Sequence, residues 1–466
     1  MIIFEKILNM KNEKFIIYQM LPRIFGNSKV NGGSGKFKDI STEVLEQIKA
    51  LNITHIWYTG IIKHSTAGER GVKGTAGSPY AINDYYDVNP YLSSRKSSRM
   101  KEFEALVERT TQAGMGTIID FVPNHVACDY VGEISPFTDE NYYPGKMFDG
   151  DWSDTAKLNY GSKDTWEKMR DILLFWASKG ISGFRCDMIE LVPVDFWQWC
   201  IPQIKKKFPR IIFIGEAYQP DNYWNYFKIG GFDYLYDKSG FYDTLRKIVR
   251  NEESASAITR QWQQLADFQP KMLNFLENHD EDRIPSEYFA GEPLRALSAL
   301  FVSLFYNTAP FMLYAGQEFG EGPQKTSIFD FCSIDKLRRW NKGVKEGDSQ
   351  KYMNYLEKDL YTIYKAFCAL AIKDPVIRKG DTFDLQYANF DNVEYNHHKQ
   401  FAFLRHYKGK IYLCVANFED NRVDVAVNIP QHVFDHYGIE PDSTINPSSK
   451  IRISIERNAG TILRLR

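Results

Sequence analysis

Gly183-Phe184-Arg185-Cys186-Asp187 closes an apolar run on a carboxylate, and three other stretches of the chain share its form. They are Thr117-Ile118-Ile119-Asp120-Phe121-Val122-Pro123-Asn124-His125, Ile211-Ile212-Phe213-Ile214-Gly215-Glu216 and Phe275-Leu276-Glu277-Asn278-His279-Asp280. Runs this short and this rich in Ile, Val and Phe read as strands buried on both faces, as in a parallel sheet covered by helices. Each run ends on Asp, Glu, Asn or His, so four strands would turn polar groups toward one rim. In a parallel β/α barrel, that rim carries the chemistry.

The surrounding sequence alternates strand and helix. Strands are predicted over 15–19, 53–58 and 117–121, then ending at Asp187 and at Gly215, within 231–237, over 272–276 and over 310–314. Between them, 41–51 forms an amphipathic helix with Leu45, Ile48 and Leu51 on one face, and 101–113 forms a helix closed by Gly114. Eight strands with intervening helices point to a closed (β/α)8 TIM barrel. The first strand is not followed by Gly-x-Gly-x-x-Gly, which argues against a dinucleotide fold. The helix expected over 163–178 begins roughly forty residues after the third strand, too far for an ordinary connection. Turn-like Tyr142-Tyr143-Pro144-Gly145 and Asp149-Gly150-Asp151-Trp152 fall in that gap, which reads as a short excursion domain over the rim. After about Lys379 short strands at 401–405, 410–418, 423–429 and 461–465 predict a C-terminal all-β sandwich. The expected division is a barrel over 1–123 and 166–378, an excursion over 124–165, and a sandwich over 379–466.

Composition narrows the function classes. With 466 residues the chain can hold a barrel and a smaller module. A net charge of -1 leaves no footprint for nucleic acid or an anionic membrane. Aromatic residues make up 15%, including 28 Tyr and 9 Trp, which serves a large core and also suits stacking on sugar rings. The six cysteines form no C-x-x-C pair and are expected as free thiols. Residues 1–14 mix apolar and charged side chains, unlike a secretory leader, and no long apolar stretch would span a membrane. The expectation is a cytoplasmic protein, or a periplasmic or secreted one if a leader has been removed.

Paired carboxylates are the minimum for cleaving a glycosidic bond: one attacks the anomeric carbon or activates water, and the other protonates the leaving oxygen. Asp187 and Glu216 end neighbouring predicted strands. Arg185, two residues before Asp187, faces the same side and can hold it ionised and aimed. Asp280 adds a third acid, while His125 and His279 offer donors to sugar hydroxyls. A lone acid after a strand is often a helix cap, so Asp120 reads as largely structural, and Asn124 could serve only a turn.

These four stretches, in this order, resemble the conserved regions of the α-amylase family of retaining glycosidases. Tyr80-Ala81-Ile82-Asn83-Asp84-Tyr85-Tyr86 and Tyr314-Ala315-Gly316-Gln317-Glu318-Phe319-Gly320 fit the family segments after strands two and eight. The resemblance implies Asp187 as nucleophile, Glu216 as acid and then base, and Asp280 as transition-state stabiliser. It implies Arg185 orienting Asp187, His125 and His279 binding the sugar, Tyr80 as a stacking platform, and Asp84, Asp120 and Asn124 in support. The implied partner is an oligosaccharide; the oligomeric state stays open.

Two positions depart from the family pattern. Many members that cut long α-1,4-glucans carry a Lys-His pair where Glu190-Leu191 stands, and loss of that lysine favours shorter or differently branched substrates. In Ala156-Lys157-Leu158-Asn159-Tyr160, Lys157 takes the place of an aspartate that resemblance associates with calcium. An ammonium offers no oxygen to a hard cation, so no metal or other cofactor is expected and Lys157 is expected to bring its charge to Asn124. Three functions remain open: hydrolysis of α-glucosidic bonds, transfer of the glucosyl group to another sugar, and a catalytically silent binding or transport-partner relative. The last should have lost its acids and gained a membrane segment.

Overall fold

The computed structural model describes residues 14–30, 32–66, 72–130, 152–441, 446–447 and 449–466. The N-terminal stretch read for a leader, most of the excursion, and the turns proposed at 142–145 and 149–151 lie outside the described residues.

Eight parallel strands close a barrel: β1 Ile16–Met20, β2 His55–Tyr58, β3 Gly116–Phe121, β4 Gly183–Cys186, β5 Ile212–Gly215, β6 Tyr234–Tyr236, β7 Met272–Phe275 and β8 Phe311–Tyr314, with β1 joined to β8. Each strand runs only three to six residues, and nearly all their side chains are buried, because helices cover the outside while side chains fill the inside. The flanking helices bury their apolar stripes on the barrel. Thr42–Ala50 inserts Val44, Leu45 and Ile48, and its N-terminus is capped by the Ser41 hydroxyl accepting from Val44 N–H.

Register delivers the site. Cys186 pairs with Gly215 and Asp120 with Arg185, so Asp187 and Glu216 each lie one step past a paired position on adjacent staves. On the other side of β5, Leu235 pairs with Gly215, which sets Tyr236 level with Glu216. Gly215 packs closely there: a Cβ would come within 2.5 Å of Ile189 Cδ1 and 2.8 Å of Leu235 Cδ2, so both side chains would have to shift. After β3, His125–Ala127 pairs antiparallel with Thr155–Lys157 and closes the neck of the excursion.

The C-terminal part holds β9 Asp381–Asp384, β10 Gln400–Tyr407, β11 Lys410–Asn417, β12 Val423–Val427, β13 Ile451–Ile455 and β14 Gly460–Arg464. Four form an antiparallel sheet in the order β9-β10-β11-β14, and β12 pairs with β13. Leu404, Leu413, Val425, Val427 and Ile455 share a core between the sheets. A helix at Gln431–Tyr437, not anticipated from the sequence, adds Val433 and Phe434 to it.

Strand pleating explains how this part docks. Ala402 and Leu404 face the sheet core, while Phe401 and Phe403 face the barrel and pack on Tyr306 at 5.1 Å between centroids. Arg405, buried on that side, donates to the carbonyls of Phe305 at 2.9 Å and Ile377 at 2.8 Å. Gly460 lies against the barrel helix Leu297–Phe305, where a Cβ would fall 2.1 Å from Phe301 Cγ. Gly460→Ala is therefore expected to cost about 1–3 kcal/mol by overpacking, read as a lower midpoint in urea unfolding. An unchanged midpoint would show that the sheet can slide off the helix without loss.

Candidate active site

Arg185 sits at the centre. Its Nη1 lies 2.6 Å from Asp187 Oδ1, its Nη2 lies 2.8 Å from Glu216 Oε2, and Asp120 Oδ1 stands 3.6 Å from Nη1. Nε donates to the Tyr236 hydroxyl at 3.2 Å, and the rings of Tyr80, Trp57 and Tyr236 surround the guanidinium at 5.2, 5.4 and 5.6 Å. Adjacent guanidinium nitrogens are ~2.3 Å apart, so the two carboxylate oxygens they hold are within about 8 Å of each other. That is close enough to act on one acetal.

The acids are held differently. Burial pushes the Asp187 carboxyl well above its usual range; Arg185 opposes this, and the Glu216 charge adds to it. Among the described residues only its Oδ1 is engaged, which leaves Oδ2 to act. Glu216 receives Arg185 and the Met188 N–H, at 2.8 Å, on Oε2 and the Tyr218 hydroxyl, at 2.5 Å, on Oε1. Met188 adopts a left-handed backbone with φ 43°, which swings its N–H toward Glu216. Asp280 follows a turn in which the Asn278 side chain accepts from the N–H groups of Asp280 and Glu281. Its side chain is 37% exposed, and Lys325 Nζ donates to its backbone carbonyl.

Asp120 accepts from Gly60 N–H at 3.1 Å and from the Tyr80 hydroxyl at 3.4 Å. Burial outweighs Arg185 and raises its carboxyl to about 6. The Tyr80 hydroxyl also contacts His279 Nε2, and its ring stacks on the imidazole at 5.4 Å and 27°. The opposite side of His279 meets the edge of Trp57 at 5.5 Å. His279 Nε2 lies 3.1 Å from Asp280 Oδ2, and Gln19 Nε2 lies 2.7 Å from Nδ1. An ionised carboxylate only accepts, so Nε2 carries the proton and Nδ1 accepts from Gln19. His125 is buried with its ring 5.3 Å from Trp152 and 3.2 Å from Asn124 Nδ2. Asp84 lies in the rim strand Ile82–Val88, 3.5 Å from Lys63 Nζ, and supports the rim from outside the acid cluster.

Lys157 pairs with His125, the chain neighbour of Asn124, across the neck hairpin, and the lysine is exposed. Asn124 Oδ1 is buried with no hydrogen-bond partner. Among the described residues no group of three or more His, Cys, Asp or Glu side chains is arranged to hold a metal ion.

Several contributors escaped the sequence reading: Gln19, Trp57, Tyr218 and Tyr236. Glu190, noticed in the sequence only as a departure from the Lys-His pair, accepts from the N–H groups of Tyr218 at 2.9 Å and Gln219 at 3.0 Å. Cys186, beside the acids, is a buried free thiol whose proton burial holds tightly.

Comparison with known proteins follows from this geometry. A sequence family described as alpha-amylase, catalytic domain, matches residues 19–150 and 138–361. The chain is 28% identical over 224 residues to an alpha-1,4-glucan:maltose-1-phosphate maltosyltransferase of Picrophilus torridus, covering 44% of this chain and 33% of that protein. It is 27% identical over 332 residues to the alpha-amylase MalA of Haloarcula japonica, covering 68% of this chain and 46% of that protein. The matches thus span less than half the length of these two relatives. The fold superposes on the crystal structure of an alpha-amylase from Lactobacillus plantarum with a TM-score of 0.74 and 20% identity, covering 97% of this chain and 99% of that one. Among the described residues no helix is long and apolar enough to cross a membrane.

Burial lowers the ring of His125 to about 4 and that of His279 well below its usual value, with Arg185 adding to the effect at His279. Both imidazoles should therefore stay neutral between about pH 5.5 and 8, with His279 protonated on Nε2. Imidazole 15N shifts followed through that range measure this. A ring titrating near 6.5 would contradict the packing described.

Proposed function

The chain belongs to the alpha-amylase family, and we propose that it is a retaining glycoside hydrolase cleaving α-glucosidic bonds in maltodextrin or other starch-derived oligosaccharides. The observation that carries this reading is the single guanidinium of Arg185 gripping Asp187 Oδ1 and Glu216 Oε2. In the first step Asp187 Oδ2 attacks the anomeric carbon as the bond to the leaving oxygen breaks, and that oxygen takes the proton of Glu216. In the second, Glu216 takes a proton from water as the water oxygen displaces Asp187 from the same carbon. Two inversions leave the α-configuration unchanged. Asp280, beside His279, is placed to grip sugar hydroxyls as the ring flattens toward the transition state.

Charge balance supports the pairing. Two carboxylates and one guanidinium carry one net negative charge, and one proton shared by the pair neutralises them. The mechanism needs Asp187 ionised, and Arg185 is the charge that opposes the burial favouring its neutral form. Glu190-Leu191 in place of the family's Lys-His pair favours short or branched substrates over long-chain starch. A second reading, transfer of the glucosyl unit to a sugar instead of water, draws on the likeness to a maltosyltransferase. A catalytically silent role fits poorly, because all three acids are present and two of them are engaged by one cation.

Asp187→Asn and Glu216→Gln should each fold normally and lose at least ~10³-fold in turnover on maltotriose, pullulan, isomaltose and sucrose. NMR of the first product formed should show the α-anomer; a β-anomer, or wild-type turnover in Asp187→Asn, would sink the two-step mechanism. Adding a free acceptor sugar separates the readings, since new oligosaccharides in place of glucose release would favour transfer. The donor set around Asn124 predicts that EDTA changes neither activity nor melting temperature. A melting temperature several degrees lower in chelator would reveal a bound cation.

A further inference from the structure

We propose that Glu190 is a positioning residue that fixes the backbone of Tyr218, so that the Tyr218 hydroxyl guards the one oxygen of Glu216 able to deliver a proton. The inference rests on the reading of Glu216 as the acid. The two oxygens of Glu216 are not equivalent. Oε2 faces the Met188 N–H and Arg185 Nη2, both at 2.8 Å, and has no room for a proton of its own. The transferable proton therefore belongs on Oε1, where the Tyr218 hydroxyl stands at 2.5 Å. A leaving oxygen must come within roughly 2.6–3.2 Å of the same atom to be protonated. Tyr218 occupies that place and must yield it.

The backbone of Tyr218 is clamped, so only its side chain can yield. Glu190 Oε2 accepts from Tyr218 N–H at 2.9 Å, and Glu190 Oε1 accepts from Gln219 N–H at 3.0 Å. From the other side the Ser239 hydroxyl donates to the Tyr218 carbonyl at 2.6 Å. The short turn Ile189–Leu191 that carries Glu190 is tied to Glu216 as well, through Ile189 N–H donating to the Glu216 carbonyl at 3.2 Å. One turn after β4 thus braces both the acid and the residue that covers it. Where the family resemblance leads one to expect a lysine reaching for sugar, this chain has a carboxylate turned onto its own backbone.

The charged and titratable groups around this assembly are Arg185 and Asp187 from β4 and its end, Asp120 from β3, Tyr236 from β6, and His279 and Asp280 after β7. Tyr223 and Tyr226 face Glu190. Burial, then the charges of Glu216 and Asp280, hold the Tyr218 proton in place, so the group remains a hydroxyl throughout the working range.

The test is the pH dependence of kcat/KM on maltotriose for Tyr218→Phe, Glu190→Ala, Glu190→Gln and the double variant Glu190→Ala/Tyr218→Phe, with folding followed by melting temperature. Tyr218→Phe removes the donor, so the alkaline limb should move up by about one pH unit. Glu190→Ala should move it the same way. Glu190→Gln, which keeps one accepting oxygen, should move it less and preserves the test if the alanine variant does not fold. The double variant should move it no further than Tyr218→Phe alone. An alkaline limb unmoved in the Glu190 variants, or shifts that add in the double variant, would overturn the proposal. Glu216→Gln is the control: if it keeps wild-type turnover, the acid assignment fails, and if it is inactive while the Glu190 variants keep the wild-type limb, only this inference fails.

Discussion

One permanently charged guanidinium, buried inside the mouth of a barrel, sets the terms for the groups around it. Arg185 cannot shed its proton, so its charge must be met in place. It is met by Asp187 and Glu216 at hydrogen-bond distance, by Asp120 at 3.6 Å, and by the faces of three aromatic rings. Taking such ions out of water is costly, and removing one partner of a buried pair typically costs about 3–5 kcal/mol. Arg185 also answers the opposite problem. Burial pushes Asp187 and Asp120 toward their neutral forms, and the guanidinium is the main charge opposing that in each. The cluster is thus poised between too much negative charge and too little, the condition in which one proton can move between two acids.

The barrel makes this possible because it fixes the strands to a shared end. Arg185 pairs with Asp120 on one side and with Ile214 on the other, and Asp187 and Glu216 follow two residues further along their chains, so three staves bring acids around one guanidinium. The rim then adds parts that the staves cannot supply. Met188 accepts an unfavourable backbone conformation to aim its N–H, and Tyr80 closes over His279 from the loop after β2.

The acids were legible in the sequence because each ends an apolar run, a local pattern that strand periodicity exposes. The eight-stranded barrel followed from the same alternation. The partners of those acids were not legible. Tyr236, Trp57 and Gln19 reach the cluster from staves tens to hundreds of residues away, and nothing in their local sequence distinguishes them from core. The place of Lys157 opposite His125 depends on a hairpin register that local sequence does not display, since a shift of one residue turns a side chain to the other face. Among the missed C-terminal strands, Ile451-Arg452-Ile453-Ser454-Ile455 alternates cleanly and could have been found, whereas Asp381–Asp384 is a polar edge strand with little pattern to find. Glu190 looked like a loss because the resemblance supplied a lysine to miss. Its service to two backbone N–H groups becomes visible only when the loop after β5 is seen beside it.

That service bears on how an enzyme of this kind can keep a strong pair of acids in check. A carboxylate surrounded by donors is well held but poorly prepared to keep a proton until it is needed, because each donor stabilises the charged form. Two of the donors to Glu216, the Arg185 guanidinium and the Met188 N–H, are fixed by the barrel and its first turn. The third, the Tyr218 hydroxyl, is on a side chain, and it alone touches the oxygen that faces outward for work. A sugar entering the cleft can displace a side chain but not a backbone amide. On the mechanism proposed, displacing it would remove one donor from the acid at the moment a leaving oxygen takes that place, and would couple binding to protonation through a single hydroxyl. Contacts elsewhere on the sugar must supply the free energy for that exchange, which links chain length to the rate of bond breaking and not only to affinity.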